Sequence, residues 1–368
     1  MVTTHYHSGK FPPQDIDWKR LVPLLGPASA ALARFDGVLE GIPNPRLLLS
    51  PMAIQEAVLS SRIEGTQATM AEVLSYQASG RSKLLPSEKE ADIREIINYR
   101  MALDEGVRLL KDLPVSGRLV RAAHSVLMRH VRGADRGAGE FRRVPNWIGP
   151  PGCEMSSAKF VPVPPENLPA AFAEWEKYVN SEQPNVLVQL AVAHAEFEAL
   201  HPFLDGNGRL GRMLVPLFLF QRNELSSPTF YVSEYLESHR EQYYEGLLNV
   251  SRNGDWTGWA EFFLTAVRTQ AESNIRRARK IIKLYREKKD WILNAARSQY
   301  AIRVLDFIFQ TPIFSAPDIV DSGKVPASAA KRLLRLLQDH DVLRVLSPAT
   351  GPLPATYQFR ELIRLAER

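Results

Sequence analysis

The sequence predicts a mostly α-helical protein. Apolar residues recur at helical spacing along much of the chain, as in 186–200, where Leu190, Ala193 and Phe197 fall on one side of a helix. Prolines and glycines separate these stretches, which indicates short connections between helices. Near the C-terminus, two strand-like runs within 342–359 flank a Pro/Gly loop and predict a small hairpin.

Length and composition favour a multidomain globular protein. The chain has 368 residues, of which 45% are hydrophobic and 24% charged, so it can bury a substantial core. We expect four regions: an N-terminal helical region (1–110), a core (111–267), a basic connecting helix (268–290) and a C-terminal domain (291–368). The single cysteine, Cys153, excludes an intrachain disulfide and a cysteine-rich zinc site.

The cellular setting is expected to be the cytoplasm. Residues 1–13 lack the apolar core of a signal peptide, and no apolar run approaches the length of a membrane span. The net charge of +5 favours anionic ligands in general, but it does not by itself indicate nucleic acid.

The N-terminal region contains one well-delimited helix. Prolines make the first part of 1–49 irregular, and we expect a helix only over 28–39. Over about 50–65, Ser50 suits the N-cap and Gly65 the position after the last turn. Glu64 falls in that last turn, where a carboxylate opposes the helix dipole, so it needs a cationic partner or full solvation.

Further helices are expected over 87–111, 116–131 and 166–180. His124 lies in the second of these helices, and no metal-ligating residue stands at a useful spacing from it. We therefore interpret His124 as structural.

The stretch 201–212 carries the most informative pattern in the chain. Pro202 cannot continue the preceding apolar helix, and a second apolar helix begins near Arg209. The loop between them therefore brings Gly206, Asn207 and Gly208 to a helix N-terminus. Glycines let backbone N–H groups face an anion, and the helix end adds positive partial charge, so this loop suits a polyphosphate.

The charged residues of this stretch fit the same ligand. Arg209 and Arg212 lie three positions apart on one helix face, and the helix dipole disfavours them there unless an anion intervenes. Asp205 offers the hard oxygen that Mg²⁺ takes alongside substrate phosphates. His201 is the group in this stretch that gains a proton near neutral pH. A Gly-rich turn with capping arginines would explain any one of these elements alone.

The complete string resembles the signature of the Fic family, H-P-F-x-[DE]-G-N-G-R-x-x-R, at every fixed position. Fic proteins are mostly adenylyltransferases, which move AMP from ATP to a protein hydroxyl. The resemblance, over roughly 50–265, implies a Fic (Fido) helical core with a small β-hairpin flap, MgATP as the nucleotide, His201 as the base and Asp205 as the metal ligand. It assigns nucleotide binding to Gly206, Asn207, Gly208, Arg209 and Arg212.

A second motif resembles the inhibitory segment of Fic proteins, [ST]-x-x-x-E-[GN]. It is matched by Ser60, Glu64 and Gly65 in the helix at about 50–65. In the family, this glutamate pairs with the second arginine of the signature, which is Arg212 here. The resemblance therefore implies an inhibitory helix within the same chain.

Two weaker resemblances concern the edges of the site. Residues 139–149 are similar to the Fic flap, which pairs with the backbone of a target segment carrying the hydroxyl, near 141–149. Tyr243, Tyr244 and Leu247 open a helix similar to the one that borders adenine and ribose. Ordinary packing explains either tyrosine, or the flap side chains, equally well.

The C-terminal region is interpreted as a separate module. Three helices followed by a hairpin over 291–368 are typical of a winged helix-turn-helix. Lys331, Arg332 and Arg335 lie on its third helix and are placed to meet phosphates. Such modules also bind proteins, so DNA is a candidate partner but not the preferred one; a homodimer is left open.

Several activities remain compatible with the signature. A Fic kinase of the Doc-toxin type would carry lysine at position 208, so Gly208 favours AMP transfer. Phosphocholine transfer uses the same signature, and hydrolytic removal of AMP, with Glu64 orienting water, is known in the family. A transcription regulator whose Fic domain is only a sensor is the alternative from another class.

Overall fold

The computed structural model describes residues 3–78, 86–131, 137–321, 323–351 and 353–367. The protein is mostly helical, with two small sheets. The helices are α1 (Trp18–Glu40), α2 (Pro45–Leu48), α3 (Ser50–Ile63), α4 (Met70–Ala78), α5 (Ser87–Leu109), α6 (Gly117–Leu127), α7 (Leu168–Asn180), α8 (Val186–Leu200), α9 (Asn207–Gln221), α10 (Ser233–Ser238), α11 (Arg240–Asn253), α12 (Trp256–Ala296), α13 (Ala301–Gln310), α14 (Ala316–Asp321), α15 (Ala327–Asp339) and α16 (Arg360–Glu367). The strands are β1 (Thr4–His5), β2 (Phe160–Val161), β3 (Ile313–Ser315), β4 (Arg344–Ser347) and β5 (Thr356–Gln358).

The chain forms two compact units. The first comprises Met1–Asp36, Leu59–Gly65 and Asn98–Glu272; the second comprises Gly37–Val58, Thr66–Ile97 and Ser273–Arg368. In the described ranges, no helix combines the length and the apolar character that crossing a bilayer requires.

Helix α8 lies at the centre of the first unit. It is apolar almost all round and packs against α7, α9 and α11, as expected for a helix with no solvent face. Two indole N–H groups bond to its carbonyl oxygens: Trp175 Nε1 donates to Ala193 O (2.8 Å) and Trp259 Nε1 to Ala191 O (2.6 Å). The helix that leads into the signature loop is therefore held rigidly along its length.

Helix α1 begins ten residues earlier than 28–39, the expected range, and contains Pro23 and Pro27. Proline removes one helical hydrogen bond and usually interrupts a helix. Here the apolar face is continuous across both prolines, and Leu21 and Phe35 on it are fully buried. Burial of this face outweighs the local preference that the prolines express.

The N-terminal segment adds to the first unit in a way that the sequence did not indicate. Strand β1 pairs in parallel with β2. Beyond the strand, Tyr6 Oη donates to Glu196 Oε1 (2.7 Å), and His7 Nε2 lies 2.7 Å from Glu196 Oε2. Glu196 is fully buried in α8, so these two side chains supply the partners that a buried carboxylate needs.

The second unit contains the C-terminal module. Helix α13, strand β3, helices α14 and α15, strands β4 and β5 and helix α16 follow one another, and the sheet order is β3-β5-β4 with antiparallel pairs. The expected hairpin is present as β4 and β5. Strand β3 and helix α16 were not expected; β3 has only three residues, too few for a recognisable period.

Helix α12 is continuous over 41 residues, so the basic connecting helix expected over 268–290 is part of a longer helix. Its C-terminal part packs against the C-terminal module, where Tyr285 Oη donates to Asp306 Oδ1 (2.6 Å).

Candidate active site

The signature forms the turn between α8 and α9. His201 ends α8 with a left-handed backbone (φ 45°), and Gly206 precedes α9 with φ 77°. Gly206 suits this conformation because it has no Cβ, and a Cβ there would lie 3.0 Å from Met128 Sδ. The two left-handed residues reverse the chain tightly and bring His201 close to the N-terminus of α9.

Asn207 holds this loop together. Its Oδ1 accepts from the Phe203 N–H (2.9 Å), and its Nδ2 donates to the Phe203 carbonyl (2.8 Å). Both functions of the buried amide are used by the loop itself. The side chain of Asn207 therefore positions the loop, and only its backbone N–H remains as a candidate contact to an anion.

His201 is neutral at physiological pH. Burial lowers its pKa to about 4, against the raising influence of the Glu198 carbonyl and the Glu64 carboxylate. A neutral imidazole can accept a proton, which is the state that a general base needs.

Two side chains outside the signature fasten the loop. Arg142 is 4% exposed, and its guanidinium donates to the carbonyls of His201 (2.9 Å) and Leu200 (3.2 Å). His124 stacks on Phe203 with ring centroids 3.7 Å apart, and its Nε2 lies 3.0 Å from the Asp205 carbonyl oxygen. Sequence reasoning treated His124 as structural and Arg142 as a flap side chain; neither residue carried a local signal that it contacts the loop.

Arg212 lies in the first turns of α9 and is 1% exposed. Its Nη2 donates to Glu64 Oε1 (2.7 Å) and to the Ser60 carbonyl (2.8 Å), and its Nε donates to Ser60 Oγ (2.9 Å). The ion pair expected between Glu64 and Arg212 is therefore formed. Ser60, the first residue of the motif that resembles the inhibitory segment, bonds the guanidinium directly.

The pair is electrostatically coupled. Burial disfavours the charge on Glu64, but the positive charge and hydrogen bond of Arg212 outweigh it, so the pKa of Glu64 lies below its ordinary value. Burial likewise disfavours the charge on Arg212, whose pKa is nevertheless raised, chiefly by Glu64. Glu64 is followed by Gly65, whose φ of 107° ends the helical segment.

The ion pair between Glu64 and Arg212 occupies space that is available because residue 208 is glycine. A Cβ at this position would lie 2.3 Å from Glu64 Oε1 and 2.9 Å from Arg212 Nη1. Any larger residue at position 208 therefore displaces Glu64.

At the same turn, the buried side chain of Arg209 pairs with Asp205, whose side chain is partly exposed. Arg209 Nη2 and Asp205 Oδ1 are 3.2 Å apart, and that oxygen also accepts from the Gly206 N–H (2.6 Å). Among the described residues, no three His, Cys, Asp or Glu side chains are grouped to hold a metal ion. A lone carboxylate, 38% exposed, fits Mg²⁺ when phosphates and water supply the other ligands.

The two tyrosines of α11 differ in their surroundings. Tyr243 is fully buried, and its hydroxyl lies 2.9 Å from His194 Nε2, so it offers no face to a ligand. Tyr244 is 38% exposed, and the Arg240 guanidinium lies 5.7 Å from its ring centroid. Leu247 is half-buried. Of the two interpretations that the sequence left open for Tyr243, its position agrees with a packing residue.

The flap residues form an irregular segment rather than a regular hairpin. Within the described part of 137–161, Ile148 makes an isolated antiparallel bridge to Phe160, which belongs to β2. Val144, Trp147 and Ile148 are exposed apolar side chains on this segment. The segment thus presents apolar surface.

A buried carboxyl group lies behind Arg212. Glu198 is 11% exposed, 3.9 Å from His194, and a Cβ on Gly211 would lie 2.2 Å from its Oε1. Burial raises the pKa of Glu198 from 4.5 to about 7. Between pH 4.5 and about pH 7, Glu198 is therefore protonated in the folded protein but ionised in the unfolded chain. Because the folded state binds more protons, the free energy of unfolding falls as the pH rises through this range.

Glu198→Gln should remove this dependence. The raised pKa corresponds to about 3 kcal/mol, so the unfolding free energy of the variant minus that of the wild type should increase by about 2–3 kcal/mol from pH 5 to pH 8. Urea unfolding at several pH values measures this difference, with exposed Glu182→Gln as the control. A difference that stays constant with pH would contradict the raised pKa.

Comparison with known proteins agrees with this geometry. The Fic/DOC family N-terminal model matches residues 22–108 and the Fic/DOC family model matches 114–219, together about half of the chain. The chain belongs to the Fic/DOC family. The second match includes the signature loop and the start of α9.

The relatives of this Fic protein among curated proteins and solved structures share only low sequence identity with it. It is 27% identical over 205 residues to "Protein adenylyltransferase Fic" of Drosophila grimshawi, covering 54% of this chain and 38% of that protein. The corresponding protein of Culex quinquefasciatus is 29% identical over 142 residues, 38% of this chain and 25% of that protein. The chain thus matches well under half the length of these relatives.

Among solved structures, a Fic family protein from Desulfovibrio desulfuricans G20 matches with a TM-score of 0.59 and 20% identity, over 95% of this chain and 98% of that one. A Fic domain containing signaling protein from Bacteroides thetaiotaomicron matches with a TM-score of 0.51 and 17% identity, over 71% of this chain and 97% of that one. At these identities the likeness concerns the fold alone.

Proposed function

We propose that this Fic protein transfers AMP from ATP to a Ser, Thr or Tyr hydroxyl of a target protein. The observation that carries the proposal is the neutral, half-buried His201 at the turn where Gly206 and Gly208 open helix α9. The backbone N–H groups at that helix end, with Arg209, form the triphosphate site. The curated relatives named as adenylyltransferases support the same activity.

In the proposed reaction, the target hydroxyl oxygen attacks the α-phosphorus of ATP. His201 takes the hydroxyl proton, the bond from the α-phosphorus to the bridging oxygen breaks, and pyrophosphate leaves. The negative charge of bound ATP favours the imidazolium form, so we expect the pKa of His201 to rise from about 4 towards neutrality when ATP binds. Asp205 would hold Mg²⁺, which supplies charge neutralisation at the phosphates.

Residues at the edges of the site are proposed to bind the target segment and the adenine. The backbone and exposed apolar side chains near 141–149 would receive the target segment as an added strand. Tyr244, the exposed member of the tyrosine pair, would border the adenine, with Leu247 beside it.

The pairing of Glu64 with Arg212 is proposed to restrain this activity. While the guanidinium bonds Glu64 and Ser60, it is not available to the γ-phosphate of ATP. The end of α3, with Ser60 on the helix and Glu64 and Gly65 in the turn that follows it, would then act as an inhibitory element within the chain. ATP would bind slowly or in a pose unsuited to transfer.

The C-terminal module is proposed to be a winged helix-turn-helix. Its order of helices and strands, with the hairpin β4–β5 as the wing, supports this assignment. Lys331, Arg332 and Arg335 on α15 are a thin basic surface, so a protein contact is preferred over DNA.

Parallel labelling of a cell lysate with [α-³²P]ATP and [γ-³²P]ATP tests the proposed activity. Incorporation of the α label alone indicates AMP transfer, whereas incorporation of the γ label alone indicates a kinase and contradicts the proposal. Label in neither reaction, with both wild type and a Glu64→Gly variant, also contradicts it and favours phosphocholine transfer or a sensor domain. Loss of label from a premodified target would indicate AMP removal.

A further inference from the structure

The second unit contains a cavity of about 520 Å³ that is separate from the residues of the signature. Its walls come from the middle of α12, from helix α16, and from strand β4 with the turn before it. Six of the lining side chains are cationic: Arg276, Arg277, Lys280, Arg344, Arg360 and Arg364.

The carboxylates of the cavity do not balance this charge. Glu361 lies 3.5 Å from Lys288, which is not a lining residue, and Asp341 is 4.0 Å from Arg344, with both side chains more than half exposed. Within the described ranges, no ion pair within 4 Å involves the four cations that face one another from the two helices. These are Arg276, Lys280, Arg360 and Arg364.

The placement of these cations is unfavourable without an anion. Arg276 and Lys280 lie one turn apart on α12, and Arg360 and Arg364 lie one turn apart on α16. Like charges at this spacing destabilise a helix. Arg360 is also the first residue of α16, where the helix dipole disfavours a cation. An anion bound between the helices would offset the repulsion within both pairs of cations and the unfavourable interaction of Arg360 with the helix dipole.

The other lining groups define the class of anion. Ser273 contributes a hydroxyl, and Val342 and Leu365 contribute the apolar surface. Among the described lining residues none is aromatic, so the cavity has no platform for stacking a nucleobase. Guanidinium groups bind phosphate through paired, charge-assisted hydrogen bonds, and a volume of this size suits a small ligand.

We propose that this cavity is a binding site for a small molecule carrying two or more phosphate groups. The site is distinct from the ATP site of the signature and shares no residue with it. Lys331, Arg332 and Arg335 of α15, the residues placed to meet duplex DNA, do not line the cavity. The concave wall formed by two helices favours a compact anion over a nucleic acid backbone.

Calorimetric titration of the full chain with inorganic tripolyphosphate tests the site. Lys280→Gln and Arg364→Gln should each weaken binding roughly 10- to 100-fold, since each removes a charge-assisted hydrogen bond to the anion. Lys283→Gln is the matched control, because Lys283 lies three residues along the same helix and does not line the cavity. Arg209→Gln weakens only the signature site, so binding that keeps its wild-type affinity in this variant and is weakened by Lys280→Gln belongs to the cavity.

The proposal would be overturned if the Arg209→Gln variant bound no tripolyphosphate, or if the Lys280→Gln and Lys283→Gln variants bound it equally well. It would also be overturned if the chain bound a short duplex DNA but not tripolyphosphate, and if Lys280→Gln abolished that binding of DNA. Both cavity residues are exposed, so their substitution should leave the melting temperature equal to or above that of the wild type. The readout is binding, so it is independent of AMP transfer.

Discussion

Replacement of His201 by alanine should abolish AMP transfer. The proposed base lies at the turn between α8 and α9, and burial keeps its imidazole neutral by lowering its pKa to about 4. Positioned proton abstraction contributes about 10²–10⁴-fold to the rate. We therefore expect incorporation of label from [α-³²P]ATP to fall by about this factor in the His201→Ala variant.

Binding of ATP should change little in the same variant, because the proposed phosphate contacts are those of Arg209 and the backbone of α9. Isothermal titration with ATP measures this, and His340→Ala, an exposed histidine outside the site, controls for loss of an imidazole. A variant that transfers AMP at nearly the wild-type rate would remove His201 from the role of base. Loss of ATP binding together with activity would instead indicate that His201 supports the loop.

Replacement of Glu64 by glycine should raise AMP transfer. The substitution removes the carboxylate 2.7 Å from Arg212 Nη2 and leaves the signature loop unchanged. The freed guanidinium can then bond the γ-phosphate, and such a charged hydrogen bond is worth about 1.5–3 kcal/mol. We expect labelling of the target and of the protein itself to increase roughly 10- to 100-fold.

The same variant should be less stable without nucleotide. Removing one partner of a fully buried pair costs about 3–5 kcal/mol, and the cost here should be smaller because Glu64 is 35% exposed and Arg212 keeps its bonds to Ser60. MgATP should restore the melting temperature, since it supplies a new anionic partner.

Two further variants make this result interpretable. Glu64→Gln keeps the size of the side chain and loses its charge, so it should also raise labelling, whereas exposed Glu182→Gly should not. Equal labelling by wild type and Glu64→Gly, with an unchanged shift in melting temperature on adding MgATP, would mean that the pair does not restrain the enzyme. Faster labelling combined with lost removal of AMP from a modified target would give Glu64 a second role.

The local geometry of the site was readable from the sequence. The break at Pro202 and the new helix with Arg209 and Arg212 follow from the conformational limits of each residue and of its neighbours. Because the loop and both helix ends are contiguous, no distant partner was needed to predict them. The same holds for the hairpin β4–β5, whose strands flank a Pro/Gly loop.

Packing decided what the periodicity left open. Tyr243 and Tyr244 are adjacent and chemically alike, yet one is fully buried beside His194 and the other is exposed. Helix α1 crosses Pro23 and Pro27 because the core covers its apolar face. Local propensity is worth at most a few kcal/mol, so burial of a whole helix face overrides it.

The sequence alone determined the family signature, the loop it forms and the chemistry of the residues on it. Only the tertiary structure brought His124 onto Phe203, fastened the loop with Arg142, and covered Glu196 with Tyr6 and His7, which are 190 and 189 residues away along the chain. It also gathered the cations of α12 and α16 around one cavity. Such contacts depend on how helices pack, and a helical period specifies which face is buried without specifying what covers it.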